Sequence, residues 1–311
     1  MEVEEENQER EWTFYSVALA VFLSAAFGAN TVAIKISVSG IGPFTAGGIR
    51  FSIASLVILA WARATGRSFQ VHRNQVYPLL VCFLLFFSQI GSLYLGVART
   101  HASRAALISN LQPFFVLFLA HLFLPGDRIT LRKVVGLILG FIGVCLVFLE
   151  REGVTGDFQV GDVLMLLSTA LWAVSTIYLK TVLHRLTPHV IAFYQMSLSV
   201  PLFFLCGILW DQPMIGALNA EVVIAVLYQA LVAAAFGFIA WNMLLQRHGA
   251  VILNSFNFIL PITGVFLAWW LLNEPLTVKI LLALLFITAQ MLVLYLDPKR
   301  RLLQFPFNKG L

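Results

Sequence analysis

Apolar residues run through the chain in stretches of about twenty, the length a helix needs to cross a bilayer, with short polar breaks between them. Ten such stretches can be drawn. They are Thr13 to Ile36, Phe44 to Ala64, Val76 to Val97, Ala105 to Leu124, Leu131 to Leu149, Val163 to Leu183, His189 to Trp210, Val222 to Leu245, Val251 to Leu272 and Ile280 to Leu296. Lipid offers no partner to a bare peptide group, so this pattern predicts spanning helices, and the short breaks leave no room for a soluble domain. Two stretches carry polar residues where lipid tolerates them least. The fourth holds Ser109, Asn110, Gln112 and Pro113 near its middle; the ninth holds Asn254, Asn257 and Pro261, and the two prolines stand 148 positions apart. Proline has no N–H for the carbonyl four residues back, so the carbonyls of Ser109 and Asn257 lose their helical partners at mid-membrane depth.

The prolines belong to a longer repeat. Tyr94-Leu-Gly-Val-Ala-Arg-Thr-His-Ala lies over Asn242-Met-Leu-Leu-Gln-Arg-His-Gly-Ala, Pro43 pairs with Pro188, and Lys35 pairs with Lys180 at 145 positions. Five spans per half is an odd number, so the two copies enter the membrane from opposite sides, as in many secondary transporters. The first spans of the halves share a face. Ser24, Gly28, Thr31 and Lys35 form one helical stripe, and Thr169, Ala173, Thr176 and Lys180 occupy the same offsets. Two readings of the stripe stay open: close helix packing with an end lysine reaching the interface, or a small polar face whose lysines act as gates.

Composition agrees with a membrane protein. Of 311 residues 60% are hydrophobic and 11% charged, with a mean hydropathy of +0.89, against roughly a quarter charged in soluble chains. Cys82, Cys145 and Cys206 all lie in apolar stretches, with neither a disulfide framework nor metal spacing. The first dozen residues, MEVEEENQEREW, are acidic and read as a solvated tail, not a cleaved leader. Lys and Arg concentrate on the amino-terminal side of the membrane, in segments such as Arg63 to Arg73, Arg128 to Lys133 and Lys299 to Arg301, whereas Lys35, Arg99, Arg104, Arg151 and Lys279 fall on the other. That bias predicts both termini in the cytoplasm. The net charge of +5 suits anionic headgroups and gives no reason to expect nucleic acid. No nucleotide-binding glycine loop, no H-E-x-x-H pair and no pair of mid-membrane aspartates is present, so neither an enzyme nor a cofactor is expected.

Arg50-Phe51 early in the second span, the mid-span prolines preceded by polar residues, Trp172, and the Asn-Glu274-Pro-Leu-Thr277 turn together resemble the EamA family of the drug/metabolite transporter superfamily. Phe27 and Asp127 depart from the pattern at the positions matching Trp172 and Glu274. The resemblance implies an all-α integral membrane protein of ten transmembrane helices, built as two inverted five-helix units. The expected divisions are residues 1–12 as an acidic cytoplasmic tail, 13–150 and 160–296 as the two units, and 297–311 as a basic cytoplasmic tail. It also implies a secondary transporter in the cell membrane, a bacterial inner membrane, exporting small polar metabolites such as amino acids by alternating access. A nucleotide-sugar or sugar-phosphate exchanger of the same superfamily is the alternative, and a polytopic enzyme or structural protein a third. The expected partners are a small-molecule substrate and the lipid bilayer, with the chain a monomer.

Polar residues at mid-membrane depth locate the path, because lipid does not solvate them. They gather in the third, fourth, seventh, eighth and ninth spans and avoid the fifth and tenth, which are expected outside as lipid-facing buttresses. Candidate substrate ligands are Arg50, Gln89, Tyr94, Asn110, Trp172 and Tyr194, joined by Gln195, Tyr228, Asn242, Asn254 and Asn257 around a narrow central cavity. Tyr228, Ala235 and Asn242, at heptad spacing, are expected on one side of the eighth span. Candidate gates are Pro113, Pro261, Lys35 and Lys180. Each amide could instead join helices, at about 0.6 kcal/mol apiece. Arg50 stands out: it lies deep in the second span, its repeat counterpart Gln195 is neutral, and the sequence places no carboxylate at its depth. A substrate carboxylate, a backbone carbonyl or the interface could receive it.

Overall fold

The computed structural model describes residues 13–123, 131–149, 156–248 and 250–295, so the two terminal tails and Asp127 lie outside the described residues. The described chain is helical throughout: α1 (Phe14–Ser37), α2 (Pro43–Ala64), α3 (Arg73–Arg99), α4 (Ala102–Ser109), α5 (Gln112–Phe123), α6 (Leu131–Phe148) and α7 (Gly156–Val182). There follow α8 (Pro188–Trp210), α9 (Ala220–Tyr228), a π segment (Gln229–Phe236), α10 (Gly237–Arg247), α11 (Ala250–Ser255), a 3-10 turn (Phe256–Phe258), α12 (Ile259–Leu272) and α13 (Val278–Tyr295). Seven stretches are long and apolar enough to cross a membrane; shorter apolar helices lie at Ile138–Val147, Ile259–Leu272 and Val278–Gln290.

The same local rules shape both halves. Pro43 and Pro188 each open a helix at its first position, where a missing N–H does no harm. Deeper in, the prolines break helices that the hydropathy pattern reads as continuous. The fourth span divides at Asn110 and Leu111 into α4 and α5, with Pro113 in the first turn of the second piece. In the ninth, α11 gives way to a 3-10 turn, and Pro261 falls in the first turn of α12. Both breaks follow from a carbonyl left without its donor. The eighth span is interrupted differently. From Gln229 to Phe236 its backbone closes wider π turns, so Tyr228, Ala235 and Asn242 no longer share the single face that a heptad spacing would give them.

Packing is two-fold. α3 lies along α7, and α1 along the α9–π–α10 rod; α2 packs on α8; α1 lies against α12, and α7 against α4 and α5. Close approach between α1 and α12 depends on Gly28, since a Cβ there would stand 2.5 Å from the Leu260 carbonyl oxygen. The fifth and tenth spans, α6 and α13, pack on each other. Phe141 and Leu285 point outward, but Gln290 is buried in the seam against Gly140. The pair is therefore outside the centre, as the polarity pattern predicts, with one amide hidden between its members.

Aromatic rings fill the middle. Phe51 packs on Phe86 and Phe203, with centroids 4.9 and 5.7 Å away, and Phe86 meets Phe238 at 5.4 Å. Cavities of about 750 and 570 Å³ open elsewhere, the first beside Gly40, Arg99 and Asp211, the second beside Trp61, His189 and Met243. Neither is lined by Arg50, Asn110 or Asn257. Phenylalanine rings of α2, α3, α8 and α10 thus pack together in the middle of the bundle.

Candidate functional site

Arg50 is buried on the inner side of α2 and meets residues of both halves. Its Nη1 donates to the Tyr94 hydroxyl at 3.4 Å; that hydroxyl donates to Gln229 Oε1 at 2.5 Å, and Gln229 Nε2 donates to the Ala33 carbonyl at 3.0 Å. The guanidinium carbon lies 4.9 Å from the Phe51 ring centroid, a cation–π contact. Tyr228 stands beside this group, its hydroxyl donating to the Ala26 carbonyl at 2.9 Å. Of the five N–H donors a guanidinium carries, only one at Nη1 finds a partner among the described residues, and Nε is buried without any. The described residues give Arg50 no carboxylate within ion-pair distance. A desolvated fork of this kind is the geometry that receives a carboxylate or another planar anion. Gln229 is the member that sequence reasoning missed as a ligand, because Gln229-Ala-Leu-Val-Ala-Ala-Ala-Phe carries neither proline nor glycine to mark the π segment.

A second polar group knots the two broken spans together. Gln112 Nε2 donates to Asn254 Oδ1 at 2.7 Å and to Thr176 Oγ1 at 3.3 Å, while Asn257 Nδ2 donates to Gln112 Oε1 at 3.1 Å and to Asn254 Oδ1 at 3.3 Å. Ser24 Oγ donates to Asn257 Oδ1 at 3.4 Å. All five side chains are buried. The residue missed here is Gln112, which precedes the proline whose kink turns it inward. Asn110, at the break itself, is buried with neither amide atom partnered, and Asn242 Nδ2 is likewise unpartnered.

The remaining predicted residues are dispersed. Trp172 and Trp241 flank Phe27, with centroids 6.4 and 5.6 Å from it. Gln89 and Gln195 are buried in α3 and α8. Tyr194 points away from Arg50, its hydroxyl donating to the Phe69 carbonyl at 3.0 Å in the α2–α3 connection.

Lys35 and Lys180 do equivalent work in the two halves. Lys35 Nζ donates to the carbonyls of Val97, Ala98 and Thr100 at 3.0, 3.3 and 2.6 Å, and Lys180 Nζ donates to those of Leu245 and His248 at 2.9 and 2.7 Å. Each cation sits at the C-terminus of a helix, α3 or α10, where the last carbonyls lack helical donors and the dipole is negative. Each joins the first span of its half to the third.

Contacts between halves differ at the two ends of the bundle. At the end with the α1–α2 and α3–α4 connections the side-chain contacts are carboxylates, beside a backbone bridge in which the Gly42 amide donates to the Met214 carbonyl at 2.9 Å and the Gly216 amide to the Gly40 carbonyl at 2.8 Å. Glu274 accepts from the Ala102 and Ser103 amides at 2.7 and 2.9 Å and from Ser103 Oγ at 2.6 Å, capping α4. Asp211 accepts from the Thr45 amide at 2.7 Å and from Thr45 Oγ1 at 2.8 Å, capping α2, whose own N-cap Gly42 has no side chain to offer. Asp162 pairs with Arg104 and accepts from Thr100 Oγ1 at 2.7 Å. Burial works to raise the Glu274 carboxyl, but hydrogen bonds from His101, Ser103 and the Ala102 amide outweigh it and hold the group below the usual carboxylate range. At the opposite end the bridges are uncharged: Gln75 Nε2 donates to the Arg185 carbonyl at 2.7 Å, beside the Tyr194–Phe69 bond.

Comparison with known proteins agrees with this architecture. A probable amino-acid metabolite efflux pump of Escherichia coli is 27% identical over 83% of this chain and 87% of its own. An uncharacterized transporter of Archaeoglobus fulgidus is 27% identical over 81% and 88%, and the uncharacterized transporter YvbV of Bacillus subtilis 26% identical over 87% and 88%. One crystal structure shares the fold at a TM-score of 0.68 and 20% identity, covering 91% of this chain and 96% of the other. The EamA-like transporter family matches twice, over residues 14–149 and 159–296. With both copies in place and seven apolar helices of spanning length among the described residues, the chain is a multi-pass membrane protein that belongs to the EamA-like transporter family.

Proposed function

We propose that this protein is a ten-span secondary transporter that exports a small metabolite carrying a carboxylate, such as an amino acid, by alternating access between its two inverted halves. The observation that carries this reading is Arg50: a buried guanidinium with an unpartnered Nε and no carboxylate neighbour, held by Tyr94 of its own half and, through it, Gln229 of the other. Insertion scales put a central arginine at about 2.5–3.5 kcal/mol, and a bound anion would offset that. The amino-acid metabolite efflux activity named for the Escherichia coli relative supports the substrate class and the direction. A nucleotide sugar would need several converging cations, whereas the Lys35 and Lys180 ammonium groups are each engaged with helix carbonyls. Asn110, Asn254 and Asn257 at the two broken spans, with Pro113 and Pro261, form the moving parts near the site. Gln89, Trp172, Gln195 and Asn242 line its approach, and Tyr194 closes the opposite end.

In this reading the three shorter apolar helices complete ten spans, and both termini face the cytoplasm of a bacterial inner membrane. Reconstituted vesicles loaded with a radiolabelled amino-acid mixture test it. Arg50→Gln loses charge-assisted hydrogen bonds of about 1.5–3 kcal/mol, so flux should fall about 10- to 100-fold with the melting temperature preserved. Undiminished flux in Arg50→Gln would refute the assignment.

A further inference from the structure

The 570 Å³ groove lies between α2 and the π–α10 rod, on the surface that faces lipid. Its walls are apolar and partly exposed: Trp61, Leu231, Phe236 and Met243 are each about two-fifths to one-half open. From Leu231 to Arg247 it extends along the rod for about 24 Å at the helical rise, close to the depth of one leaflet from midplane to headgroup. Only one end is charged. There Arg67 and Arg247 flank the groove, with His189 and the start of α8 between them, and no acidic side chain lines it. Arg67 is held in place by its guanidinium, 4.9 Å from the Trp61 ring centroid. Thr187, the N-cap of α8, makes no side-chain capping bond, so that helix start adds to the positive potential.

An apolar trough of leaflet length with two cations at one end matches an acyl chain joined to an anionic headgroup. The geometry points to a binding site for one anionic phospholipid, its phosphate between Arg67 and Arg247 and its chain along Ile239 and Leu231. A zwitterionic lipid would set its ammonium against the same arginines, and so binds more weakly. Because the trough borders the π segment that carries Gln229, a seated chain packs on the rod that also holds Arg50's partner. The assignment of the charged end to the cytoplasmic leaflet rests on the orientation proposed above; the lipid preference does not.

Native mass spectrometry of the detergent-purified full chain, titrated with dioleoyl phosphatidylglycerol or dioleoyl phosphatidylcholine, tests the site. The wild type should retain phosphatidylglycerol at least ten-fold more tightly. The doubly substituted Arg67→Gln/Arg247→Gln protein should lose about thirty-fold in that affinity, about one power of five per arginine, while Arg73→Gln, another exposed arginine near this end, should not. Ile239→Trp, which fills the trough and leaves both cations, should lose retention as well. Equal retention of the two lipids, or full preference in the double variant or in Ile239→Trp, would overturn the site. Inorganic phosphate that competes as well as the lipid would overturn it too, since the trough would then contribute nothing. Orientation fails separately: labelling of Arg67→Cys from outside intact cells would reverse the leaflet without touching the preference.

Discussion

The Arg104–Asp162 pair offers a measurement whose outcome depends on burial alone. Both side chains are almost inaccessible, at 2% and 1%, and the pair joins α4 of one half to α7 of the other. Substituting Arg104→Met leaves Asp162 with the Thr100 hydroxyl at 2.7 Å but without this countercharge; substituting Asp162→Leu takes the Asp162 carboxylate away from the buried guanidinium. Removing one member of a buried pair costs about 3–5 kcal/mol, whereas replacing both with apolar residues of similar volume is neutral or stabilising. At about 2 °C per kcal/mol, the value for larger domains, each single variant should melt about 6–10 °C lower. The double variant should melt within about 2 °C of the wild type, which makes the coupling energy nearly as large as the two single losses together. Tryptophan fluorescence during thermal unfolding in one detergent would follow all four proteins. If the double variant fell by the sum of the singles, or if the singles barely moved, the two groups would be solvated and the reasoning from burial would fail.

Further outcomes follow from the same structure. For Glu274 the folded carboxyl lies below the unfolded value of about 4.3, so its contribution is complete at neutral pH and is lost only as pH falls through the depressed folded value. A melting profile against pH should therefore drop on the acid side, and Glu274→Gln should flatten that drop; an identical profile in the variant would contradict it. Lys35→Met and Lys180→Met should each cost about 2–4 kcal/mol through carbonyls left without donors, and hydrogen exchange should rise at the end of α3 in the first and of α10 in the second. Replacing Pro113 and Pro261 together with alanine restores both missing donors, and in reconstituted vesicles should slow turnover more than it weakens substrate binding; unchanged turnover would remove the breaks from the mechanism.

Much of the architecture can be read from residue order, because membrane length, proline chemistry and duplication are local properties. Aligning Lys35 with Lys180 and Tyr94–Ala102 with Asn242–Ala250 already pairs each lysine with the carbonyls it reaches, although only the folded chain brings them together. The carboxylate contacts are not legible that way. Asp162 reads as lying just before a span at Val163, but α7 begins at Gly156 and carries it inside the bundle to Arg104. Glu274 and Asp211 sit in connections, where a carboxylate is expected in water; each instead caps a helix more than 160 residues away. Likewise the π turns arise from tertiary fit around alanines, so the pattern gave Tyr228 a heptad face that the backbone does not keep.

The lysine contacts also constrain motion. Because each lysine ties the first and third spans of its own half, while the carboxylate caps, the Arg104 pair, the Tyr94–Gln229 and Gln112–Asn254 bonds in the middle and the uncharged bridges at the far end cross between halves, the cheapest displacement leaves both lysines untouched. The protein is thereby divided into two stiff blocks whose shared boundary runs α1 against α9–α10 and α3 against α7. Any rearrangement must slide along that boundary, exchanging the amide and tyrosine bonds at its middle while releasing one set of end contacts at a time, with carboxylates at one end and uncharged side chains at the other.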